Sequence, residues 1–266
     1  MLINGFTRLF AILGDPITQV KTPELMNACF IERGDDAVLV PMQVKADHLH
    51  DSLAALDSVV NLAGLVFTMP HKVDALEWVD DASQRAKSIG AINVAVRRQD
   101  GGWYGDNLDG EACLLAMRQA GFKPQSAKVL LIGGGGAGQA IGYTLLANGV
   151  ASLVLAEANI AKAQKLLERW QIDFPETHIS LLKGGQKPEF NALINASPEG
   201  SYDNSALPCS ESLLANKPLV MDIILTPSQW LEKAKQRHCV TCSGKEMILA
   251  QAEPMYMFFS QLDITS

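Results

Sequence analysis

The sequence predicts an α/β protein of two domains, each carrying a mainly parallel sheet. Three observations predict it. The 266 residues exceed one small domain and suit two of ordinary size. Short apolar runs bounded by Gly, Pro and Asp alternate with helix-like stretches, the order that parallel strands joined by crossover helices require. Near the middle, the apolar run Val129–Ile132 leads directly into a glycine cluster and then a helix-forming stretch.

Taken in order, Leu9–Leu13 reads as a strand stopped by Gly14-Asp15-Pro16. Thr22-Pro23-Glu24 has the form of an N-cap followed by proline at the first helical position, opening a helix through Ile31. Ala37–Val44 is a second strand, Asp47–Leu56 a helix and Gly64–Phe67 a third, buried strand. Glu111–Ala120 reads as a helix ended by Gly121, and Lys123–Ser126 as a short linker. Then come the strand Val129–Ile132, a helix through Ala147 closed by Gly149, and the strand Ser152–Ala156. Ala192–Ile194 and Leu219–Asp222 are further strands, and Glu246 to about Leu262 is an apolar helix expected to fold back on the first domain.

Composition narrows the function. Hydrophobic residues make up 48% and charged residues 19%, a globular balance. The net charge of −7 disfavours nucleic acid and anionic membranes as partners, leaving small molecules. No apolar run approaches the roughly 20 residues of a bilayer span, and Met1–Arg8 lacks the basic-then-apolar order of a signal peptide. A cytoplasmic protein, monomeric or homodimeric, is expected. The five cysteines are odd in number and form no framework. Cys239 and Cys242 make a C-x-x-C without a second ligand pair, so they are expected to be buried and structural, with no metal site.

The glycine cluster carries the first chemistry. Gly133-x-Gly135-x-x-Gly138 follows a strand and opens a helix, the Rossmann arrangement in which backbone amides at the helix N-terminus receive a dinucleotide pyrophosphate. Gly133, Gly134, Gly135, Gly136, Ala137 and Gly138 are the expected cradle. Glu157 ends the next strand. A carboxylate there accepts the ribose hydroxyls of NAD and repels the extra phosphate of NADP, and Ala158 brings no arginine to that phosphate. NAD is favoured, with NADP possible.

Several motifs together resemble one family. Gly64-Leu65-Val66-Phe67-Thr68-Met69-Pro70-His71-Lys72 is similar to a G-x-N-V-T-x-P-x-K stretch, and Gly90-Ala91-Ile92-Asn93-Val94 to G-A-x-N-T. Gly105-Asp106-Asn107-Leu108-Asp109-Gly110 resembles G-x-N-T-D-x-x-G, and Asn195-Ala196-Ser197-Pro198-Glu199-Gly200 an N-A-T-P-x-G loop. With Gly14-Asp15-Pro16-Ile17 at the start and Gly244, Met247, Ile248 and Gln251 near the end, the chain resembles the shikimate dehydrogenase family. The resemblance implies a catalytic pair, Lys72 and Asp109, that moves the proton when hydride transfer interconverts a hydroxyl and a ketone. It implies that Asn93 and Gln251 hydrogen-bond ring hydroxyls, and that Thr22 and Thr68 also hold substrate. On the cofactor side it adds Asn195, Ser197 and Gly244. His71, beside Lys72, is expected to serve packing.

The pattern breaks on the substrate motifs. The serine pair of S-x-S-P is replaced by Val20-Lys21-Thr22-Pro23. Leu225 stands where D-x-x-Y has tyrosine, Val66 where the first stretch has asparagine, and Val94 and Leu108 replace two threonines. The expectation is a divergent member acting on a shikimate- or quinate-like cyclic hydroxy acid with a modified carboxylate pocket. Either Lys21 supplies a point charge there, or the substrate lacks that carboxylate.

The expected organisation is a substrate domain over 1–108, joined by a C-terminal helix from 240–266, and a Rossmann domain over 109–239, with substrate in the cleft between. The alternative is a non-catalytic paralogue that senses a dinucleotide or a metabolite, against which the retained Lys72 and Asp109 argue. Other Rossmann dehydrogenases, of folate or glutamyl-transfer-RNA type, would explain the glycines but not the N-terminal motifs.

Overall fold

The computed structural model describes residues 2–183, 189–199, 207–225 and 228–260. It divides into two compact units, Met1–Leu108 with Gln251–Ser266, and Asp109–Ala250.

The first unit contains β1 (Arg8–Gly14), α1 (Thr22–Arg33), β2 (Ala37–Gln43), α2 (Leu49–Asp57) and β3 (Leu62–Phe67). It continues with α3 (Asp74–Trp78), β4 (Asp81–Ala82), α4 (Gln84–Ile89), β5 (Val94–Arg97) and β6 (Trp103–Asp106). The strands lie in the order β2-β1-β3-β5-β6-β4, parallel except where β5 runs against β3 and β6. Successive side chains of a strand alternate between faces, and β1 is buried on both. Phe10 and Ile12 join Met26, Phe30 and Val66 in one core, while Ala11 and Leu13 join Leu49, Leu53 and Phe67 in another. A side chain at Gly64 would come within 3 Å of the rings of Phe10 and Phe259, so this glycine makes room for the aromatic packing.

Several expectations are corrected. α1 runs on to Arg33, and Gly34, left-handed at φ 74°, terminates it. Thr22 is inside that helix instead of capping it: Lys21 occupies the cap position and no side chain caps the end. The helix expected over 47–56 begins as a 3₁₀ turn, Ala46–His48, before α2. The β5–β6 hairpin escaped the strand reading, although Asp100-Gly101 between apolar runs is a turn signal; Gly101 has φ 90°.

The second unit contains α5 (Asp109–Gln119), β7 (Lys128–Ile132), α6 (Gly136–Ala147), β8 (Ser152–Ala156) and α7 (Ile160–Asp173). There follow β9 (His178–Leu181), β10 (Ala192–Asn195), β11 (Leu219–Asp222), α8 (Gln229–Gln236), β12 (Thr241–Ser243) and α9 (Gly244–Ser260). Its sheet is wholly parallel in the order β12-β11-β10-β7-β8-β9. This is the doubly wound order, and the switch point falls between β7 and β10.

Lys123–Ser126, expected as a short linker, lies in the connection between α5 and β7 within this unit. α5 packs on α6, and any side chain at Gly110 would overlap the Ala140 carbonyl and the Thr144 hydroxyl. Residues 240–250 do not extend a C-terminal helix on the first domain: 241–243 pair with β11, and α9 joins the first unit only from Gln251 onward. There Met255, Phe258 and Phe259 enter the core around Phe10, with the rings of Phe10 and Phe259 at 4.6 Å between centroids. Cys239 and Cys242 are both buried but lie in different cores, one with Trp230 and the other with Met221. Burial pushes the Cys242 thiol up to about 11. Gly200 and Leu262 lie outside the described residues. Among the described residues no helix is long and apolar enough to cross a membrane.

Candidate active site

In the second unit the carboxyl ends of the strands are bound together by close backbone approaches. Gly133 follows β7 at φ 93°, its N–H donating to Ala156 O at 2.8 Å. A side chain on Gly133 would come within 2.8 Å of the Ala196 and Ser197 backbone, and one on Gly138 would overlap the Gly133 carbonyl. These two glycines therefore let the turn, the α6 helix and the loop after β10 touch. Gly244 makes a similar close approach beside β11, where a side chain would overlap the Ile223 and Ile224 carbonyls. Gly135 and Gly136 differ: a side chain there would meet nothing within 4 Å. Gly135 is the α6 cap residue, and no side chain satisfies that helix end. Bare backbone, open space and the positive end of a helix dipole fit a dinucleotide pyrophosphate.

Glu157 is fixed beside this turn. Its Oε1 accepts from Asn159 N at 2.9 Å and its Oε2 from Gly134 N at 2.8 Å. Those amides, the Asn159 one foremost, hold the carboxyl below its ordinary range, with Lys162 at 3.9 Å adding to the effect. Asn195 and Ser197 lie at the carboxyl end of β10. Asn195 is fully buried and its Oδ1 accepts from Ser197 N at 3.1 Å and Ser197 Oγ at 2.7 Å. Gly133–Gly138, Glu157, Asn195, Ser197 and Gly244 thus all stand at one edge of one sheet.

In the first unit the loops after β1 and β3 lie together. Asp15 N donates to Met69 O at 3.0 Å, Thr68 N to Leu13 O at 3.0 Å, and the Thr68 methyl lies over Gly14. Lys72 is half-buried, and its carbonyl accepts from Ile92 N at 2.9 Å. His71 is fully buried with Nε2 donating to the Val44 carbonyl at 2.7 Å, which is a packing role. Asn93 joins the carboxyl ends of β3 and β6: its N–H donates to Asp106 O, its carbonyl accepts from Phe67 N, and its Oδ1 accepts from Leu108 N at 2.8 Å.

Sequence reasoning missed the group that holds this turn. Arg85 from α4 grips Asp106 with two bonds, Nε to Oδ1 at 2.7 Å and Nη2 to Oδ2 at 2.6 Å, and the Ser83 hydroxyl donates to the same carboxylate. Asp106 Oδ1 also accepts from Asn107 N at 2.7 Å. The Gly105–Asp106–Asn107 motif carried the signal, but Arg85, 21 residues away, could not be assigned to it from spacing. Thr22 and Gln251 are half-buried, in α1 and α9, and Asp109 is buried at the start of α5.

The positions of the first unit that depart from the family pattern gather in one core. Val66, Val94 and Leu108 are all buried members of the Phe10 core, and Val20 packs against it. Leu225 is 46% exposed.

A doubly wound parallel sheet with a glycine turn at its switch point and a carboxylate at the end of β8 is the arrangement of dinucleotide-binding proteins. Residues 12–95 match the family model described as shikimate dehydrogenase substrate binding domain. The NADP-dependent shikimate dehydrogenase of Rubrobacter xylanophilus is 31% identical over 94% of this chain and 89% of its own. The chain belongs to the shikimate dehydrogenase family, as an NAD(P)-dependent oxidoreductase acting on CH–OH groups. Among solved structures, shikimate 5-dehydrogenase from Listeria monocytogenes in complex with shikimate and NAD superposes with a TM-score of 0.88 at 25% identity, covering 97% of this chain and 93% of that one. The 5-ketofructose reductase of Gluconobacter sp. strain CHM43 gives 0.86 at 26% identity, covering 95% and 92%.

Proposed function

We propose that this enzyme uses NAD in preference to NADP, and that it oxidises or reduces a hydroxylated ring substrate that resembles shikimate or quinate but lacks the carboxylate. The observation that carries the cofactor preference is Glu157, an anionic carboxylate pinned by two backbone amides at the end of β8. Each oxygen keeps a lone pair for a ribose hydroxyl, and a phosphate at that hydroxyl would be repelled. The nicotinamide supplies or accepts the hydride. Lys72 and Asp109 handle the proton: Lys72 donates to the developing alkoxide on reduction and takes the proton back on oxidation, with Asp109 orienting it and balancing its charge. Thr22, Thr68, Asn93 and Gln251 hold the ring, and Gly133–Gly138, Asn195, Ser197 and Gly244 the cofactor.

A neutral substrate is favoured over a point charge at Lys21. Lys21 is exposed and already paired with Glu24 at 3.0 Å, and Val66, Val94 and Leu108 are buried in one apolar core, with Val20 packed against it, where the family pattern carries hydroxyls and an amide. The neighbour named as a reductase of a keto-sugar supports the same reading. The test is a panel of shikimate, quinate and neutral cyclic or open polyols, each assayed with both cofactors. NAD should win by about tenfold or more in kcat/KM, and Lys72→Ala should lower kcat about 10²- to 10⁴-fold. If shikimate with NADP outperforms every other pairing, the proposal is wrong.

A further inference from the structure

The carboxyl ends of β10 and β11 hold a buried relay that adds Asp222, so far without a role, to the assigned Asn195 and Ser197. Asp222 closes β11 and, like Asn195, is 0% exposed. Its Oδ1 accepts from Asn195 Nδ2 at 3.1 Å and from Ile224 N at 3.2 Å. Asn195 Nδ2 also donates to Glu199 O at 3.3 Å. With its NH₂ turned to these acceptors, the amide has one orientation, and its oxygen must face the Ser197 N–H and hydroxyl. Ser197 Oγ then accepts from Glu199 N at 3.3 Å. The turn so clamped is the one whose backbone Gly133 packs against.

Asp222 is a costly residue in that place. It follows Leu219, Val220 and Met221, all buried, and is itself fully buried. Burial pushes its carboxyl up, against the neighbouring Ser228 hydroxyl and the Ile224 and Asn195 amides.

In a doubly wound sheet the dinucleotide crosses the switch point. Glu157 places the adenosine ribose at β8 and the glycine turn places the pyrophosphate at β7, so the nicotinamide half falls over β10 to β12. We infer that Asp222 is a positioning residue for the nicotinamide half of the cofactor: by fixing the Asn195 amide it sets the Ala196–Ser197 turn that this half rests on. The inference depends on the dinucleotide placement proposed above.

Binding of NADH and of ADP-ribose, which lacks the nicotinamide, is titrated for wild type, Asp222→Ala, Asp222→Asn, Asn195→Ala and the Asp222→Ala/Asn195→Ala double variant. Asp222→Ala should weaken NADH about ten- to a hundredfold and leave ADP-ribose within about twofold. Asp222→Asn, which keeps an acceptor toward Asn195, should recover most of the loss. The double variant should be no weaker than either single one, because both remove the same relay. Should Asp222→Ala fold poorly, Asn195→Ala carries the same comparison. Equal losses for both ligands, no loss for either, or additive losses overturn the inference. Wild type that binds neither ligand overturns the dinucleotide placement, and the inference with it.

Discussion

The glycine turn makes two kinds of demand that an alanine scan separates. At Gly133 the backbone sits at φ 93°, and an added Cβ would come within 2.8 Å of three backbone atoms of Ala196 and Ser197. The left-handed conformation costs an alanine about 1–2 kcal/mol. The overlap adds to this, because backbone cannot rotate away as a side chain can. A total of about 2–4 kcal/mol is expected for Gly133→Ala, a lowering of Tm by roughly 5–15 °C if the second unit melts as one domain. At Gly135 φ is not in the left-handed region and the added methyl meets nothing, so Gly135→Ala should leave Tm within about 2 °C of wild type. Its effect belongs to the ligand. A methyl pointing into the space reserved for the pyrophosphate should weaken NADH about tenfold or more. Thermal melts and fluorescence titration with NADH read the two quantities on the same samples. Gly135→Ala protein that binds NADH as tightly as wild type would refute the placement of the pyrophosphate. A Gly133→Ala variant as stable as Gly135→Ala would refute the packing argument.

Three further outcomes follow from other regions of the molecule. Because the Asn159 and Gly134 amides hold the Glu157 carboxyl below its ordinary value of 4.5, that carboxylate stabilises the fold fully above about pH 4.5 and loses its contribution as pH falls through the lower folded value. Glu157→Gln should therefore lower Tm at neutral pH and converge on wild type in acid; a pH-independent gap would contradict this. Arg85→Ala leaves Asp106 mostly buried with one neutral donor side chain, so urea unfolding should show a loss of about 2–4 kcal/mol, below the full cost for a buried pair because Arg85 is 23% exposed. Asp106→Asn together with Arg85→Met should be milder than Arg85→Ala alone. Val66→Asn puts an amide among Phe10, Ile12 and Val94 and should cost about 1–3 kcal/mol in urea, whereas a neutral result would mean the site still has polar partners for the amide.

The fold class and the cofactor edge were legible in the sequence because their signals are local. Val129–Ile132, the glycines and Ser152–Ala156 are contiguous, and each requirement of the strand–turn–helix unit is met within a few residues of the next. Gly149 ended its helix for the same kind of reason. An element weak in local signal was missed: α4 is only six residues long. Thr22 misled because its N-cap form, Thr-Pro-Glu, is compatible with a helix that starts at Thr22 itself and takes Lys21 as its cap.

By itself, then, the sequence determined the α/β class, the glycine turn with Glu157 and the motifs that resemble the family. Periodicity, turn chemistry and short-range spacing suffice for these. Only the tertiary structure decided what those motifs rest on. That Arg85 grips Asp106, that Asp222 accepts from Asn195, and that Val66, Val94 and Leu108 share one apolar core with Val20 against it are facts of contacts between distant segments. Such contacts are set by how strands align and which face a side chain takes, and linear spacing does not encode either.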